Sequence, residues 1–188
     1  MKKLLIALVL GCFAICGFAQ EHLSFKGIPI TGSMTTFCQK LKTKGFTQIG
    51  SEGNIRLFNG DFTGRKATVG AVAADNGQDV FAVAVFFDET DSWNTLVNTY
   101  EHYKDLYTEK YGKPTQCVEN NPSRTDSNTS LMYELFQGRV TYASIFEAPG
   151  GSIQISIEKG NVNDGFVLIK YQDAQNVNAK RRSDLEEI

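Results

Sequence analysis

The chain has only two histidines, one tryptophan and four cysteines among its 188 residues, and these scarcities exclude several chemistries. His22 falls near the N-terminus, in a stretch read as mobile. His102 lies in a helical stretch beside Glu101 and one turn from Asp105. A metal site needs three or four converging ligands, and this pair has no third, so His102 reads as part of a solvated helix face. No serine sits in a Gly-x-Ser-x-Gly elbow. Neither Cys38 nor Cys117 has an adjacent basic or histidine partner to activate it. The glycine-rich stretches Pro149-Gly150-Gly151 and Gly60-Asp61-Phe62-Thr63-Gly64 read as turns, because no helix follows at once to cradle a phosphate. Asp88, Glu89 and Asp91 stand at a strand-to-helix junction, where capping accounts for them. No catalytic, metal-binding or cofactor-binding residue is assigned, and no cofactor is expected. The residues argue against an enzyme.

A basic excess is missing too. Lys and Arg number 19 against 21 Asp and Glu, a net charge of −2. Nucleic-acid binding depends on cations that neutralise phosphates, and docking on anionic lipid depends on a basic cluster. Neither partner is expected. The one long apolar run is at the very start: Met1-Lys2-Lys3, then Leu4 to Ala14, then Gly17-Phe18-Ala19 with small residues at −3 and −1 of a cut. That is the layout of a secretory signal peptide, and the run is too short to serve as a membrane span. A cut near Ala19 removes 19 of the 188 residues and leaves 169, with Lys2 and Lys3 gone and a net charge near −4. The expected address is periplasmic or secreted. Val9-Leu10-Gly11-Cys12 also resembles a bacterial lipobox, and lipidation at Cys12 would make an outer-membrane lipoprotein; this is the one route by which a membrane becomes a partner. The apolar Phe13 to Ala19 would be an odd start for such a protein.

Removing the leader takes Cys12 and Cys16 with it and leaves Cys38 and Cys117. A bond between them would close a loop of about 79 residues and stabilise the fold by about 4.5 kcal/mol at most. Against it, Cys38 falls on the apolar stripe of a helix and Cys117 opens a strand, so two separate buried thiols are the alternative.

Periodicity organises the rest. Residues 31–45 read as a helix capped by Thr31 or Ser33, with Met34, Phe37, Cys38 and Leu41 at i, i+3, i+4, i+7 and Gly45 as its stop. Strand-like runs follow: Ile55 to Phe58 leading to an Asn59-Gly60 turn, Ala67 to Ala74 leading to Asp75-Asn76-Gly77, and Val80 to Phe87. A second helix from about Ser92 to Tyr111, capped by Asp91, carries Trp93, Leu96, Val97, Tyr100, Tyr103 and Tyr107 on one face. This reads as a wide face packed on a sheet, in preference to a platform for a cofactor or sugar. After a polar loop from Asn120 to Ser130, four more strands are expected at Leu131 to Phe136, Arg139 to Phe146, Ile153 to Ile157 and Phe166 to Tyr171. The fold class is therefore α+β, an antiparallel sheet with helices on one face.

The halves echo each other. Lys44-Gly45-Phe46-Thr47-Gln48-Ile49 matches Tyr111-Gly112-Lys113-Pro114-Thr115-Gln116-Cys117, and Phe62-Thr63-Gly64-Arg65 matches Phe136-Gln137-Gly138-Arg139. Two tandem helix-plus-meander units are expected, over residues 20–90 and 91–172, with a polar tail over 173–188. This order resembles the tandem arrangement of the β-lactamase inhibitor protein and related small periplasmic proteins. The opening Gly32-Ser33-Met34-Thr35 and closing Lys44-Gly45-Phe46 of the first helix are similar to those of SmpA-type outer-membrane lipoproteins. The mature chain lacks the four framework cysteines of the inhibitor, so neither inhibition nor any contact residue carries over.

With no catalytic set, function falls to surfaces. Val80 to Phe87 is apolar on both faces. It reads as a central strand covered on both sides, or one at the junction between the repeats, or as one whose exposed face offers Phe81, Val83, Val85 and Phe87 to a protein or lipid-like ligand. Asn120, Asn121 and Arg124 of the polar loop would extend that surface. The expected function is an exported, non-catalytic protein that engages an unknown protein partner through a sheet face and loops. An envelope-assembly or structural accessory protein, or a hydrolase inhibitor, is the alternative.

Overall fold

The computed structural model describes residues 21–74, 78–121, 127–161, 163–186 and 188. The segment read as a leader, with Cys12 and Ala19, the expected turn at Asp75-Asn76-Gly77 and Arg124 lie outside the described residues. A short hairpin, β1 (Ser24–Phe25) and β2 (Ile28–Pro29), precedes α1 (Met34–Thr43). A meander follows: β3 (Thr47–Glu52), β4 (Ile55–Phe62), β5 (Arg65–Ala73) and β6 (Val80–Phe86). Then come α2 (Trp93–Tyr111), β7 (Gln116–Asn120), α3 (Asn128–Phe136), β8 (Thr141–Ala148), β9 (Gly151–Lys159), β10 (Gly165–Asp173) and α4 (Ala174–Glu186). Eight strands make one antiparallel sheet in the order β3-β4-β5-β6-β10-β9-β8-β7. The closing strands of the two meanders, β6 and β10, pair in its middle, with Val85 opposite Ile169. The fold is α+β.

Side-chain alternation assigns the two faces of the sheet. Val69, Val85, Ile169 and Ile155 are register partners across four strands, and all are fully buried. They form one core with Phe37 and Leu41 of α1, Leu96 and Tyr103 of α2, and Leu131 and Leu135 of α3. Burying each such side chain contributes about 1.5–3 kcal/mol. Ser33 Oγ accepts from the Thr36 N–H at 3.3 Å to start α1, and Ser92 Oγ accepts from the Thr95 N–H at 3.3 Å to start α2. Ser92 thus caps α2 in place of Asp91, since its hydroxyl reaches the orphan donor of the first turn. No helix among the described residues is long and apolar enough to cross a membrane.

Two local expectations are overturned. Asn59-Gly60 does not turn the chain: β4 runs through it to Phe62, and the turn falls at Thr63 and Gly64, with φ of 52° and 81°. A Cβ on Gly60 would come within 2.2 Å of the Phe46 ring, so this glycine permits close packing and makes no bend. Leu131 to Phe136 is helix, not strand. Leu131, Met132 and Leu135 share the buried face of α3, and Gly138 beyond its end takes φ +71°. Asn128 ties α3 to the start of α2, its Oδ1 accepting from the Trp93 N–H at 2.6 Å and its Nδ2 donating to the Asp91 carbonyl at 2.9 Å.

Candidate functional site

The residues proposed from sequence as a surface divide in the fold. Val83, Val85 and Phe87 are core, and Phe81 is half-buried. β6 sits between β5 and β10, so Val83 and Val85 point under the helices; the Phe87 ring stacks on Tyr103 with centroids 4.7 Å apart. β6 is a central strand, and Val83, Val85 and Phe87 belong to its core side and form no outward face. Asn120 is exposed at the end of the edge strand β7, and Asn121 beyond it is half-buried.

The outward face of the sheet carries a different apolar set. Alternation puts Ile55, Leu57, Val72, Phe86, Phe166 and Leu168 there, on β4, β5, β6 and β10, all half-buried. Phe86 stands between Thr68 and Leu168 in register, and its ring lies 6.0 Å from that of Phe166. Gly70 at the centre lets its neighbours close over it: a Cβ there would come within 3.2 Å of Ile55 and 3.4 Å of Phe86. Toward β9 the same face turns polar, with Lys170, Gln172 and Gln154. Sequence reasoning placed the exposed apolar face on β6 alone. The observed patch is shared by four strands, and the pairing that joins them is not local in sequence.

Cys38 and Cys117 are free thiols: Cys38 is buried under α1, and Cys117 is exposed on β7. Burial pushes the Cys38 thiol up, against the nearby charges of Arg56 and Lys42. The expectation of two buried thiols is corrected at Cys117, because β7 is an edge strand with every residue exposed. Its sulfur lies 3.4 Å from Ser144 Oγ and 3.5 Å from Glu119 Oε1. Glu119 in turn accepts from Lys104 at 2.5 Å and from the Tyr100 hydroxyl at 3.2 Å. The Lys104 hydrogen bond holds the Glu119 carboxyl below its usual range. His22, read as mobile, is tied down: its Nδ1 lies 3.0 Å from Asp173 Oδ2. His102 is exposed on α2 with its ring against Tyr103. No group of three or more His, Cys, Asp or Glu converges among the described residues.

A cleft lies between the C-terminal half of α2 and the N-terminal segment. This cleft of about 600 Å³ is walled by Tyr103, Leu106, Tyr107 and Lys110 of α2 on one side and by His22 and Lys26 on the other. Phe62 and Tyr171 form its floor. The Tyr107 and Tyr171 hydroxyls hydrogen-bond each other, and the Tyr103 hydroxyl pairs with Thr63 Oγ1 at 2.8 Å. Burial pushes all three phenols above their ordinary range. These three rings are buried beneath the cleft, none more than 8% exposed. The tyrosine stripe of α2 was legible in the sequence as core. Its role as a cleft wall was not, because Phe62, Tyr171 and His22 come from distant segments.

The chain matches no family model, no curated protein and no solved structure.

Proposed function

We propose that the chain is an exported, non-catalytic binding protein that engages a protein partner through the sheet face turned away from α1, α2 and α3. The observation that carries this reading is the apolar patch of Ile55, Leu57, Val72, Phe86, Phe166 and Leu168, half-buried on the face turned away from α1, α2 and α3. An antiparallel sheet with a solvated face normally alternates to polar residues there, and contiguous apolar patches on a soluble surface mark interaction sites. The leader at Met1 to Ala19 supports export to the periplasm or beyond. Each meander follows its own helix, and the strands run outward from β6 and β10 in matching order. That arrangement supports reading the scaffold as two tandem helix-plus-meander units, with α3 occupying the longer spacing of the second.

The test is affinity capture from envelope extract with the wild-type protein and with a Leu57→Lys, Leu168→Lys double variant. Both positions are half-exposed, so the variant is expected to keep its native circular dichroism. A defined partner held by the wild type and lost from the folded variant supports the reading. Identical recoveries, or turnover by the protein in a hydrolase panel, refute it.

A further inference from the structure

We infer that the N-terminus left by a cut after Ala19 is a copper(II) site, built from the Gln20 amine, the amide nitrogens of Glu21 and His22, and His22 Nδ1. This assignment rests on the export reading and uses no residue of the sheet face. Its starting point is where His22 falls. Gly17 and Ala19 set the cut so that His22 becomes the third residue of the exported chain. In that position its Nδ1 closes a chelate ring with its own amide nitrogen. The Glu21 amide nitrogen and the terminal amine each close a further ring. Four nitrogens in one plane is an arrangement that copper(II) prefers among divalent metals.

The fold leaves this set accessible. Among the described residues no acceptor takes the Glu21 or His22 N–H, and the His22 side chain is 28% exposed. Only its Nδ1 is engaged, 3.0 Å from Asp173 Oδ2, so the metal competes with this buried carboxylate for one nitrogen. When His22 leaves, Asp173 still accepts from the Leu23 N–H at 2.9 Å and the Asn176 N–H at 3.0 Å. Leu23, Phe25, Ile28 and Ile30 meanwhile keep the rest of the segment in the core. The exchange balances without an electron moving. Copper(II) replaces one ammonium proton and two amide protons, which pass to solvent, while the Nδ1 proton of the neutral imidazole moves through water to Nε2. Zinc(II) does not displace amide protons, and copper(II) leads the divalent series for nitrogen ligands, so the site selects copper.

The test expresses the full chain in an exporting host, reads the first residue of the purified protein by mass spectrometry, and titrates it with copper(II), nickel(II) and zinc(II) chloride. One copper per chain is expected, with the visible absorption and electron paramagnetic resonance spectra of a square-planar four-nitrogen complex. Nickel should bind more weakly and zinc should give no competition. Glu21→Pro removes one amide proton without touching the His22–Asp173 bond and should abolish the spectrum, as should His22→Ala. Asp173→Ala should tighten copper by roughly tenfold, the worth of one charge-assisted hydrogen bond. The Leu57→Lys, Leu168→Lys protein should bind copper like the wild type, so failure here is distinct from failure of the sheet-face reading. A purified protein that keeps residues 1–19 refutes the export reading together with this one, whereas a chain that begins at Gln20 and binds no copper refutes this one alone. A Gln20 amine closed into pyroglutamate, a wild-type spectrum from the Glu21→Pro protein, or zinc held as tightly as copper would overturn the assignment.

Discussion

Replacing Asp173 by alanine sets a polar network against a hydrophobic anchor, and the magnitudes decide the outcome. The carboxylate is fully buried, yet three donors converge on it: the Leu23 N–H at 2.9 Å, His22 Nδ1 at 3.0 Å and the Asn176 N–H at 3.0 Å. Asp173→Ala strands the buried Leu23 N–H, at a cost of about 1–3 kcal/mol, and removes the acceptor from the first turn of α4, worth about 1 kcal/mol. A total near 3 kcal/mol lowers the Tm by about 6–12 °C for a chain of this size. The competing outcome is that the N-terminal segment simply peels away. It carries Leu23, Phe25, Ile28 and Ile30, none more than 3% exposed, and at roughly 1.5–3 kcal/mol each their burial outweighs the lost polar network at least twofold. The segment therefore stays docked and the variant unfolds as a whole, earlier. Thermal and urea denaturation followed by circular dichroism measure the shift, and tryptic cleavage at Lys26 under native conditions reports peeling. A Tm drop under about 2 °C would refute the hydrogen-bond argument, and rapid cleavage at Lys26 in a folded variant would refute the burial argument. Asp173→Asn, which keeps one acceptor, should fall between the two.

Further outcomes follow from the same geometry. In the folded protein a thiol reagent should modify Cys117 quickly and Cys38 only on unfolding; equal rates would contradict the burial of Cys38. Burial holds Tyr100, Tyr103, Tyr107, Tyr142 and Tyr171 above the ordinary value of 10.0. Above that pH the unfolded chain loses phenolic protons that the folded chain keeps, so stability is intact below pH 10 and declines as pH rises beyond it. Spectrophotometric titration at 295 nm should show most phenolate appearing together with unfolding, and gradual ionisation of a folded protein would sink this. Gly60→Ala should cost about 1–3 kcal/mol through its overlap with Phe46, and Phe46→Leu should recover part of that loss in a double-mutant cycle; additive losses would show that the ring is not the obstacle.

Much of the framework was legible in the sequence because its signals are local. The stripe Met34, Phe37, Cys38 and Leu41 and the aromatic face of α2 are properties of single helices, and the structure buries both. The alternation of Ile153, Ile155 and Ile157 likewise marks one dry face of β9. Failures arose where a distant contact overrode a local preference. Asn59-Gly60 has the composition of a hairpin turn, but Phe46 fills the space above Gly60 and the strand continues. Leu131 to Phe136 is apolar enough for a strand, yet three of its residues match the surface of α2 and β9, and it coils to present them together. Short apolar runs of this kind are ambiguous without the partner they bury against.

The candidate sites were the least legible part, for a topological reason. Where β6 pairs with β10, residues more than eighty positions apart become neighbours, and the outward patch exists only once Phe86 stands beside Leu168 and Phe166. The cleft depends likewise on Asp173, which ends β10 and captures His22 and Leu23 across 150 positions. Gly150 allows that capture, since its missing Cβ leaves room for the backbone of Glu21 to Leu23 to pass. The N-terminal segment is thus held as a wall by one buried carboxylate and one glycine, while its four apolar side chains seal the core behind it. Because those side chains outweigh the polar network, Asp173→Asn should leave the segment docked and the Leu57–Leu168 face unaffected so long as the chain stays folded. Rapid tryptic cleavage at Lys26 in the folded Asp173→Asn protein would show instead that the carboxylate holds the segment in place.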